Sequence, residues 1–449
     1  MTNILLITAD DMDARTPGAF GGDRCATPRL DALASAGMSF RRSHVPIAVC
    51  QPSRSAIMTG CLPHRNGAEG FGPIADGIGV LTDHLHEQGF SAGILGKVDH
   101  IEPVERFKWD FARSMSQLGL GRSPEAYGRA AREFIAEAAE DARPWFLMAN
   151  AHDPHRPFHG SEDERAKWSA QQRAAYPEPS RVFSAEEVEV PGFLPDLPEV
   201  RREVAQYLSS ARRCDDVVGE VLDALEDSGQ AQETIVVFLS DNGMAFPFAK
   251  ANCYLRSTST PLIVAWPGRI REGAVLEEPF VSTLDLFPTF CEIIGSQVPE
   301  GLDGCTLMPL LEESAGAREI AGRDRVHTVF HETSAKRRYE MRCVQTADWG
   351  YVWNSWSDGE EEYRAENMQG LSWGAMVGAA EGDDALEERT AFYLRRAPEE
   401  LYDLRNDPDC LENLAGDPAR ADDLLAARTA LRAELERSAD PLLNVFATI

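Results

Sequence analysis

The 449-residue sequence contains no long apolar run, no closely spaced set of cysteines and no excess of positive charge. No segment approaches the ~20 apolar residues that cross a bilayer, so we expect no membrane as a partner. The chain opens with Met1–Thr8, in which no basic residue precedes a short apolar run. Because a secretory signal needs a basic region and a longer apolar run, we expect no signal peptide and a cytoplasmic protein.

The nine cysteines form no C-x-x-C pair, and their number is odd. Secreted domains that are stabilised by disulfides carry even numbers of cysteines in a compact framework. The pattern here therefore favours a reducing compartment.

Basic residues are in the minority, since 44 lysines and arginines stand against 73 aspartates and glutamates, for a net charge of −29. Such a surface repels phosphates, which argues against a nucleic acid as partner. An enzyme of this charge that acts on a small anion needs local positive charge, from a metal ion or from clustered basic side chains.

Short apolar runs alternate with helical patterns over the first two thirds of the chain, which predicts a large doubly wound α/β sheet between helices. The predicted strands are 3–8, 91–95, 145–149, 234–239 and 261–266, and the predicted helices include 27–36, 204–225 and 282–294. The stretch 157–200 is rich in Pro, Glu, Asp and Ser and predicts a surface excursion.

The pattern changes after about residue 320, where shorter apolar segments follow one another. We predict strands at 326–331, 342–345 and 351–354 in a small antiparallel sheet, and an amphipathic helix at 418–436. The chain is therefore divided into a catalytic domain, residues 1–320, and a smaller α+β subdomain, residues 321–449.

Polar side chains follow four of the predicted strands of the large sheet. They are Asp10 and Asp11, Lys97 and His100, His152 and His155, and Asp241 and Asn242. Because ligand sites in open α/β sheets lie at the carboxyl edge of the strands, we expect these side chains to converge. Three carboxylates and an amide oxygen form a hard ligand set that suits Ca²⁺ or Mg²⁺.

Cys50 precedes a predicted helix, Ser55–Gly60, within the run Cys50-Gln51-Pro52-Ser53-Arg54. A lone cysteine is most often a small buried apolar residue. A reactive side chain at a helix N-terminus, however, lies among free N–H donors and the positive end of the helix dipole, which favours an anionic substrate.

The pattern C-x-P-S-R-x-x-x-[LM]-T-G, here residues 50–60, resembles the signature of type I sulfatases of the alkaline phosphatase superfamily. In that family the cysteine is oxidised to formylglycine, whose hydrated aldehyde attacks sulfur. The resemblance covers almost the whole chain. It implies an alkaline phosphatase-like mixed sheet, a C-terminal subdomain at the mouth of the active site and a sulfuric ester or sulfamate hydrolase. It also implies a small anionic sulfated substrate and a formylglycine-generating enzyme as maturation partner.

The resemblance implies the metal ligands as well: Asp10, Asp11, Asp241, Asn242 and the modified side chain of Cys50. The expected cation is Ca²⁺, with Mg²⁺ or Mn²⁺ as alternatives. Arg54, the arginine of the motif, would contact the formylglycine and help to anchor it.

Four further residues take implied catalytic roles. Lys97 and Lys250 would offset charge on the sulfate oxygens, and His155, together with Lys250, would protonate the leaving atom. His100 would take a proton from the second hydroxyl of the hydrated aldehyde. His100 falls three residues after Lys97, where the family's G-K-x-H element has two, and Asp99 occupies the commoner position.

A narrower resemblance is to sulfamidase-like bacterial sulfatases, relatives of N-sulphoglucosamine sulphohydrolase. It rests on residues 241–243, 246–247, 252–254, 331–332 and 341–342. It implies a sulfamate or a sulfated sugar as substrate. His331, Arg337 and Arg338 are expected near the mouth of the site, within reach of a sugar or its carboxylate.

Three alternatives remain open at this point. Phosphonate monoester and phosphodiester hydrolases of the same superfamily act on groups of the same tetrahedral geometry. A protein that binds sulfated glycans without catalysis would keep Cys50 as a thiol. A two-metal phosphatase is less favoured, because Asn242 and Gly243 stand where histidine ligands would be needed. A homo-oligomer is possible in each case.

Overall fold

The structure is a computed structural model, and it describes residues 1–313 and 322–449. Within these ranges the strands are β1 (Asn3–Ala9), β2 (Met38–His44), β3 (Ser91–Leu95), β4 (Phe111–Arg113), β5 (Trp145–Asn150), β6 (Thr234–Ser240), β7 (Leu262–Ala265), β8 (Ala274–Ser282), β9 (Arg325–Glu332), β10 (Arg338–Thr346), β11 (Trp349–Asn354) and β12 (Glu399–Asp403).

The α-helices are α1 (Pro28–Ala36), α2 (Cys50–Thr59), α3 (Pro63–Asn66), α4 (Leu81–Glu87), α5 (Val104–Phe107), α6 (Pro124–Glu140), α7 (Glu162–Lys167), α8 (Ala170–Arg173), α9 (Pro198–Asp227), α10 (Leu255–Thr258), α11 (Leu286–Ile294), α12 (Met308–Leu311), α13 (Leu371–Ala380), α14 (Asp384–Leu394), α15 (Ala421–Arg437) and α16 (Leu443–Phe446). Among these helices, none has both the length and the apolar content that crossing a bilayer requires.

Eight strands of the described ranges form the large sheet, in the order β4-β3-β5-β1-β6-β7-β2-β8. All pair in parallel except β7, which is antiparallel to both of its neighbours. This arrangement confirms the predicted mixed, doubly wound sheet. It also brings the carboxyl ends of β3, β5, β1 and β6 side by side.

The central strand β1 is buried on both faces, which explains its nearly continuous apolar sequence. Ile4 and Leu6 pack into the core on one face of the sheet, and Leu5 and Ile7 into the core on the other face. Each fully buried side chain of this size contributes roughly 1.5–3 kcal/mol of transfer free energy.

The four strands β12-β11-β10-β9 form a separate antiparallel sheet, as predicted for the C-terminal region. One face packs on Leu431 and Leu435 of α15. The other face contributes Met341 and Val352 to a core that includes Phe246 and Tyr254 from the loop after β6. The predicted domain boundary between residues 320 and 321 lies outside the described residues.

The segment from 157 to 200 contains the short helices α7 and α8 and the start of α9. Part of it is buried rather than superficial, because Phe183 and Phe193 pack into the core with Tyr254. The predicted helix 282–294 is also shorter in the structure. Strand β8 continues to Ser282, and α11 begins at Leu286, which places Pro288 in the first turn, where proline is tolerated.

Candidate active site

Cys50 is the first residue of α2, and every residue of this helix is buried. The chain enters the helix through Val49, which is extended, and leaves it at Gly60 with a φ of 67°. Only a residue without a side chain adopts that conformation easily, which explains the glycine of the motif. The Cys50 side chain therefore lies beneath the surface at the N-terminus of a buried helix, next to backbone N–H groups that have no partner within the helix.

Carboxylates from two strand ends surround the sulfur atom. Asp10 and Asp11 follow β1, and Asp241 follows β6; one ligand atom from each of these residues and from Cys50 lies within 4.8 Å of all the others. The Sγ atom of Cys50 is 3.3 Å from Oδ1 of Asp10. Asp11 has a φ of 69°, so the chain turns out of the strand and both adjacent aspartates reach the same site.

The residues present fit a divalent cation. Oδ2 of Asp11 and Oδ1 of Asn242 are buried, and neither has a hydrogen-bond partner among the described residues. Buried polar atoms of this kind are costly unless a ligand satisfies them. Together with the carboxylates of Asp10 and Asp241 they form a hard oxygen donor set. The predicted ligands are thus brought together.

The carboxylates differ in their electrostatic surroundings. Burial raises the pKa of Asp241 to about 7, against the opposing charge of Arg54. Burial also raises the pKa of Asp11. Burial acts on Asp10 in the same direction, but the charge of Lys97 and its neighbours holds the pKa of that carboxyl well below its usual value.

Arg54 lies one turn after Cys50 on the same face of α2, so it points toward the same strand ends. Its Nη2 atom donates to Oδ2 of Asp241 at 2.7 Å, and Nη1 donates to Oδ1 of Asn150 at 2.5 Å and to Oγ1 of Thr8 at 2.8 Å. The guanidinium is thereby fixed beside Asp241, one of the candidate metal ligands. Its predicted contact with formylglycine stays a prediction.

The two predicted lysines lie against the two adjacent aspartates. Nζ of Lys250 is 3.0 Å from the Cys50 sulfur and 2.5 Å from Oδ1 of Asp11. Nζ of Lys97 contacts Oδ2 of Asp10. Burial would lower the pKa of Lys250, but the charge of Asp11 raises it well above its usual value, so the ammonium keeps its proton.

Two histidines after β5 complete the wall above the aspartates. Nδ1 of His152 is 3.3 Å from Oδ2 of Asp10, and Nε2 of His155 is 4.0 Å from Oδ2 of Asp11. The two imidazole rings stack with their centroids 4.7 Å apart. Burial lowers the pKa of both histidines well below the usual value, so both are neutral at pH 7.

His100 and Asp99 differ in where they point. His100 lines the cavity over Cys50, with its ring edge-on to Phe71, whereas Asp99 is exposed to solvent. Burial, followed by the charge of Lys97, lowers the pKa of His100 to about 2, so it is a neutral imidazole. The short 3₁₀ turn Val98–His100 thus carries the histidine to the site despite the extra residue.

A cavity of about 670 Å³ lies over Cys50, and His155, His100 and Lys250 are part of its wall. Ser334, Glu366 and Gln369 from the C-terminal region also line it. Residues from the C-terminal region therefore form part of the wall of this cavity.

The structure does not place His331 or Arg338 on the wall of the cavity over Cys50. His331 is buried, and its Nδ1 atom is 2.8 Å from Oε2 of Glu340. Arg338 donates to Glu69 at 2.7 Å, and Arg337 is exposed away from the cavity wall. His331 and Arg338 thus contact carboxylates from two other parts of the chain, Glu340 and Glu69. The local sequence pattern did not indicate these contacts.

A buried network from the C-terminal region was missed by the sequence reasoning. Nη2 of Arg396 donates to Oδ1 of Asn252 at 2.7 Å, and Nδ2 of Asn252 donates to the carbonyl oxygen of Lys250 at 3.1 Å. Nδ2 of Asn367 donates to the same carbonyl at 2.5 Å. The backbone that carries Lys250 is therefore held from two sides.

Family models and known proteins match this chain over most of its length. The model described as sulfatase matches residues 2–296, and the model described as N-sulphoglucosamine sulphohydrolase, C-terminal, matches residues 245–361. N-sulphoglucosamine sulphohydrolase of Homo sapiens is 31% identical over 446 residues, which cover 93% of this chain and 86% of the human protein. An ulvan-active sulfatase of Formosa agariphila is 26% identical over 422 residues, which cover 93% of this chain and 76% of that protein.

Solved structures share the fold. One, determined in complex with its substrate D-glucosamine-2-N,6-O-disulfate, superposes with a TM-score of 0.73 at 18% identity and covers 98% of each chain. Phosphonate monoester hydrolase of Agrobacterium radiobacter superposes with a TM-score of 0.70 at 20% identity, covering 97% of this chain and 96% of that one. At these identities the similarity establishes the fold.

The fold and the site define a hydrolase that holds an anionic group between basic side chains and carboxylates suited to a cation. The chain belongs to the sulfatase family, and it is a hydrolase of sulfuric esters or sulfamates. The family, fold class and enzyme class predicted from the sequence are therefore confirmed.

Proposed function

We propose that this sulfatase removes the N-sulfate group of a glucosamine-type sugar, through a formylglycine made from Cys50 and a divalent cation held by Asp10, Asp11, Asp241 and Asn242. One observation carries the proposal. Cys50 is the first residue of a buried helix, and its Sγ atom is 3.3 Å from an Asp10 oxygen and 3.0 Å from the Lys250 nitrogen. The N-sulfate is favoured because the chain is 31% identical to N-sulphoglucosamine sulphohydrolase over 93% of its length.

An unmodified Cys50 thiol suits this site poorly. Burial, and then the charge of Asp10, raise the pKa of the thiol well above its usual value. Thiols react as thiolates, so the thiol is a weak nucleophile at neutral pH. Formylglycine would supply a hydroxyl nucleophile in its place, and the cation would supply positive charge beside it. We propose Ca²⁺, with Mg²⁺ or Mn²⁺ as alternatives, and maturation by a formylglycine-generating enzyme.

Four side chains would stabilise charge and transfer a proton during the reaction. Lys97, Lys250 and Arg54 place positive charge beside the oxygens of the bound sulfate group, where charge changes during transfer. His155 faces the cavity and would donate a proton to the leaving nitrogen. The neutral imidazole of His155 can take up that proton because an anionic substrate raises the pKa of a neighbouring histidine.

His100 would act in the opposite direction, as a base. Its imidazole is neutral, and its Nδ1 atom is buried without a hydrogen-bond partner among the described residues. A free nitrogen of this kind can accept a proton from the hydroxyl that remains after transfer, because the charge of the bound sulfate group raises the pKa of the neighbouring imidazole. The sulfate would then be released and the aldehyde restored.

The test is a substrate panel on protein that is co-expressed with a formylglycine-generating enzyme. N-sulfoglucosamine, an aryl sulfate and an aryl phosphonate are compared by kcat/KM, with Cys50→Ala as the inactive control. We expect the highest kcat/KM for N-sulfoglucosamine. A highest value for the aryl phosphonate would support the phosphonate hydrolase alternative instead, and binding without turnover of any sulfated compound would support a glycan-binding protein.

A further inference from the structure

A second cavity, of about 270 Å³, lies between the large sheet and the C-terminal region. Four arginines line it: Arg15, Arg41, Arg42 and Arg256. Within the part of the chain that the structure describes, none of its lining residues carries a carboxylate, and none also lines the cavity over Cys50. We call this cavity the arginine pocket.

Carboxylates near the arginine pocket balance only part of its charge. Arg256 is 3.1 Å from an oxygen of Asp409 and 3.9 Å from one of Asp13. Arg41 is 3.6 Å from Glu277, whose side chain is 68% exposed and therefore strongly screened. Arg15 and Arg42 have no carboxylate within 4.0 Å among the described residues, although Asp13 and Asp409 lie near enough to Arg15 to act on its charge. Positive charge thus remains in a protein whose net charge is −29.

Two of the guanidinium groups are already held in place. Nη1 of Arg41 donates to the carbonyl oxygen of Ala19 at 2.7 Å, and its guanidinium lies 4.9 Å from the ring centre of Phe20. Nη1 of Arg42 donates to the carbonyl oxygen of Glu278 at 3.1 Å, and its guanidinium lies over the Phe280 ring. A guanidinium has five N–H donors, so each keeps donors for a ligand. Preorganised donors lose little entropy when a ligand binds.

The remaining walls are neutral. His44 lies beside Arg42, is buried, and contacts Oγ1 of Thr258 through Nδ1 at 3.0 Å. Gln345 and Thr346 contribute polar walls without charge. A negatively charged ligand would therefore meet positive charge from several directions and no opposing carboxylate in the described lining.

We infer that the arginine pocket binds a tetrahedral oxyanion, sulfate or phosphate, at a site separate from the active site. The planar fork of arginine matches the oxygens of such an anion and can contact two of them at once. A volume of about 270 Å³ accommodates one such ion with water, or the sulfate group of a larger molecule. The enzyme's own product, inorganic sulfate, belongs to this class.

The experiment is calorimetric titration of the full-length protein with inorganic sulfate and, separately, with inorganic phosphate, at constant ionic strength in sodium chloride. The test variant is the double substitution Arg15→Gln, Arg42→Gln, and each single substitution is measured as well. The matched control is Arg202→Gln, because Arg202 is exposed on α9 and has no ion pair among the described residues. A Lys250→Ala variant separates this binding from binding at the active site.

We expect the double substitution to weaken sulfate binding by at least about tenfold, because two charge-assisted hydrogen-bond donors are lost. We expect Arg202→Gln and Lys250→Ala to retain this binding event. Selectivity for sulfate over phosphate would identify the product as ligand, and equal affinity would indicate a general oxyanion site. Unchanged binding in the double variant, or complete loss of binding in Lys250→Ala, would overturn the inference. The melting temperature and activity of the double variant verify that it folds.

Discussion

Nζ of Lys250 lies 3.0 Å from Sγ of Cys50, although the two residues are 200 positions apart in the chain. The loop after β6 carries the lysine over the N-terminus of α2, and Asp11 keeps the ammonium charged. The positive charge of Lys250 therefore lies beside the side chain to which the proposed mechanism attaches the sulfate group.

We predict that Lys250→Met lowers kcat on N-sulfoglucosamine by about a hundredfold or more, because a preorganised charge at the reacting group is lost. Lys250→Arg keeps the charge and should retain more activity. Steady-state kinetics of the two variants, with formylglycine content measured for each, provide the comparison. Equal activity of Lys250→Met and the wild type would show that the lysine does not act on the reacting group.

The network around Arg396 leads to a second prediction. Arg396 is buried, donates to Asn252 and Tyr254, and lies over the rings of Tyr254, Tyr363 and Tyr393. Arg396→Ala removes the contact that orients Asn252, one of the two side chains that hold the Lys250 backbone, so we expect kcat to fall by about tenfold with little change in KM.

Arg396→Lys should restore part of that loss, because it keeps a buried donor. The control is Arg395→Ala, since Arg395 is half-exposed and, within the described ranges, forms an ion pair only with Glu362. The pH profile of kcat should shift in Arg396→Ala and stay unchanged in Arg395→Ala. A drop in melting temperature with an unchanged kcat and pH profile would mean that Arg396 serves stability alone.

The positions of His100 and Asp99 provide a matched pair of substitutions. His100 lines the active-site cavity, whereas its neighbour Asp99 is exposed. We expect His100→Ala to slow turnover by about a hundredfold, as loss of a general base does, and Asp99→Ala to leave it within about twofold of the wild type. Because the proposed step of His100 follows transfer, release of the sugar amine should show a burst in His100→Ala, and slow turnover should follow it. The reverse ranking would assign the catalytic role to Asp99.

The stability of the protein should depend on pH through His44. Burial, together with the charge of Arg42, lowers the pKa of His44 to about 3. Above pH 6.5 the imidazole is neutral in both the folded and the unfolded state, and its contribution is fully present. As pH falls below 6.5, His44 binds a proton in the unfolded state but stays neutral in the folded state, so stability is lost progressively toward pH 3.

At pH 4.5 this loss amounts to about 2.5 kcal/mol relative to pH 7. Urea unfolding at the two pH values, for the wild type and for His44→Gln, measures it. The variant is expected to be less stable at pH 7 but to lose less stability on acidification. Parallel losses in the two proteins would rule out His44 as the source.

The positions of the active-site residues on the fold were largely predictable, because most of them directly follow strands that are buried on both faces. Asp10, Asp11 and Asp241 follow apolar runs that can only be central strands, so the carboxyl edge of the sheet brings them together. Cys50 was recognisable from the motif at residues 50–60, although its helix begins at Cys50 and not at the predicted Ser55. In contrast, β2 combines Phe40 with the charged pair Arg41 and Arg42 and follows no simple alternation.

Contacts between distant segments could not be predicted. Arg396 meets Asn252 across 144 positions, and nothing in the sequence around either residue indicates the other. The sequence did not indicate that His331 and Arg338 are paired with carboxylates. Glu69, the partner of Arg338, comes from a distant loop, and Glu340, the partner of His331, lies on the neighbouring strand β10. Side-chain partners of this kind are decided by tertiary packing.

Mass spectrometry of the peptide that contains Cys50, combined with turnover of N-sulfoglucosamine by the same sample, tests the proposed mechanism at its first step. The protein is produced with and without a formylglycine-generating enzyme. We predict that turnover rises in proportion to the fraction of peptide whose mass is lowered by about 18 Da, the change from cysteine to formylglycine. Full activity in a sample in which Cys50 remains entirely a thiol would contradict the mechanism.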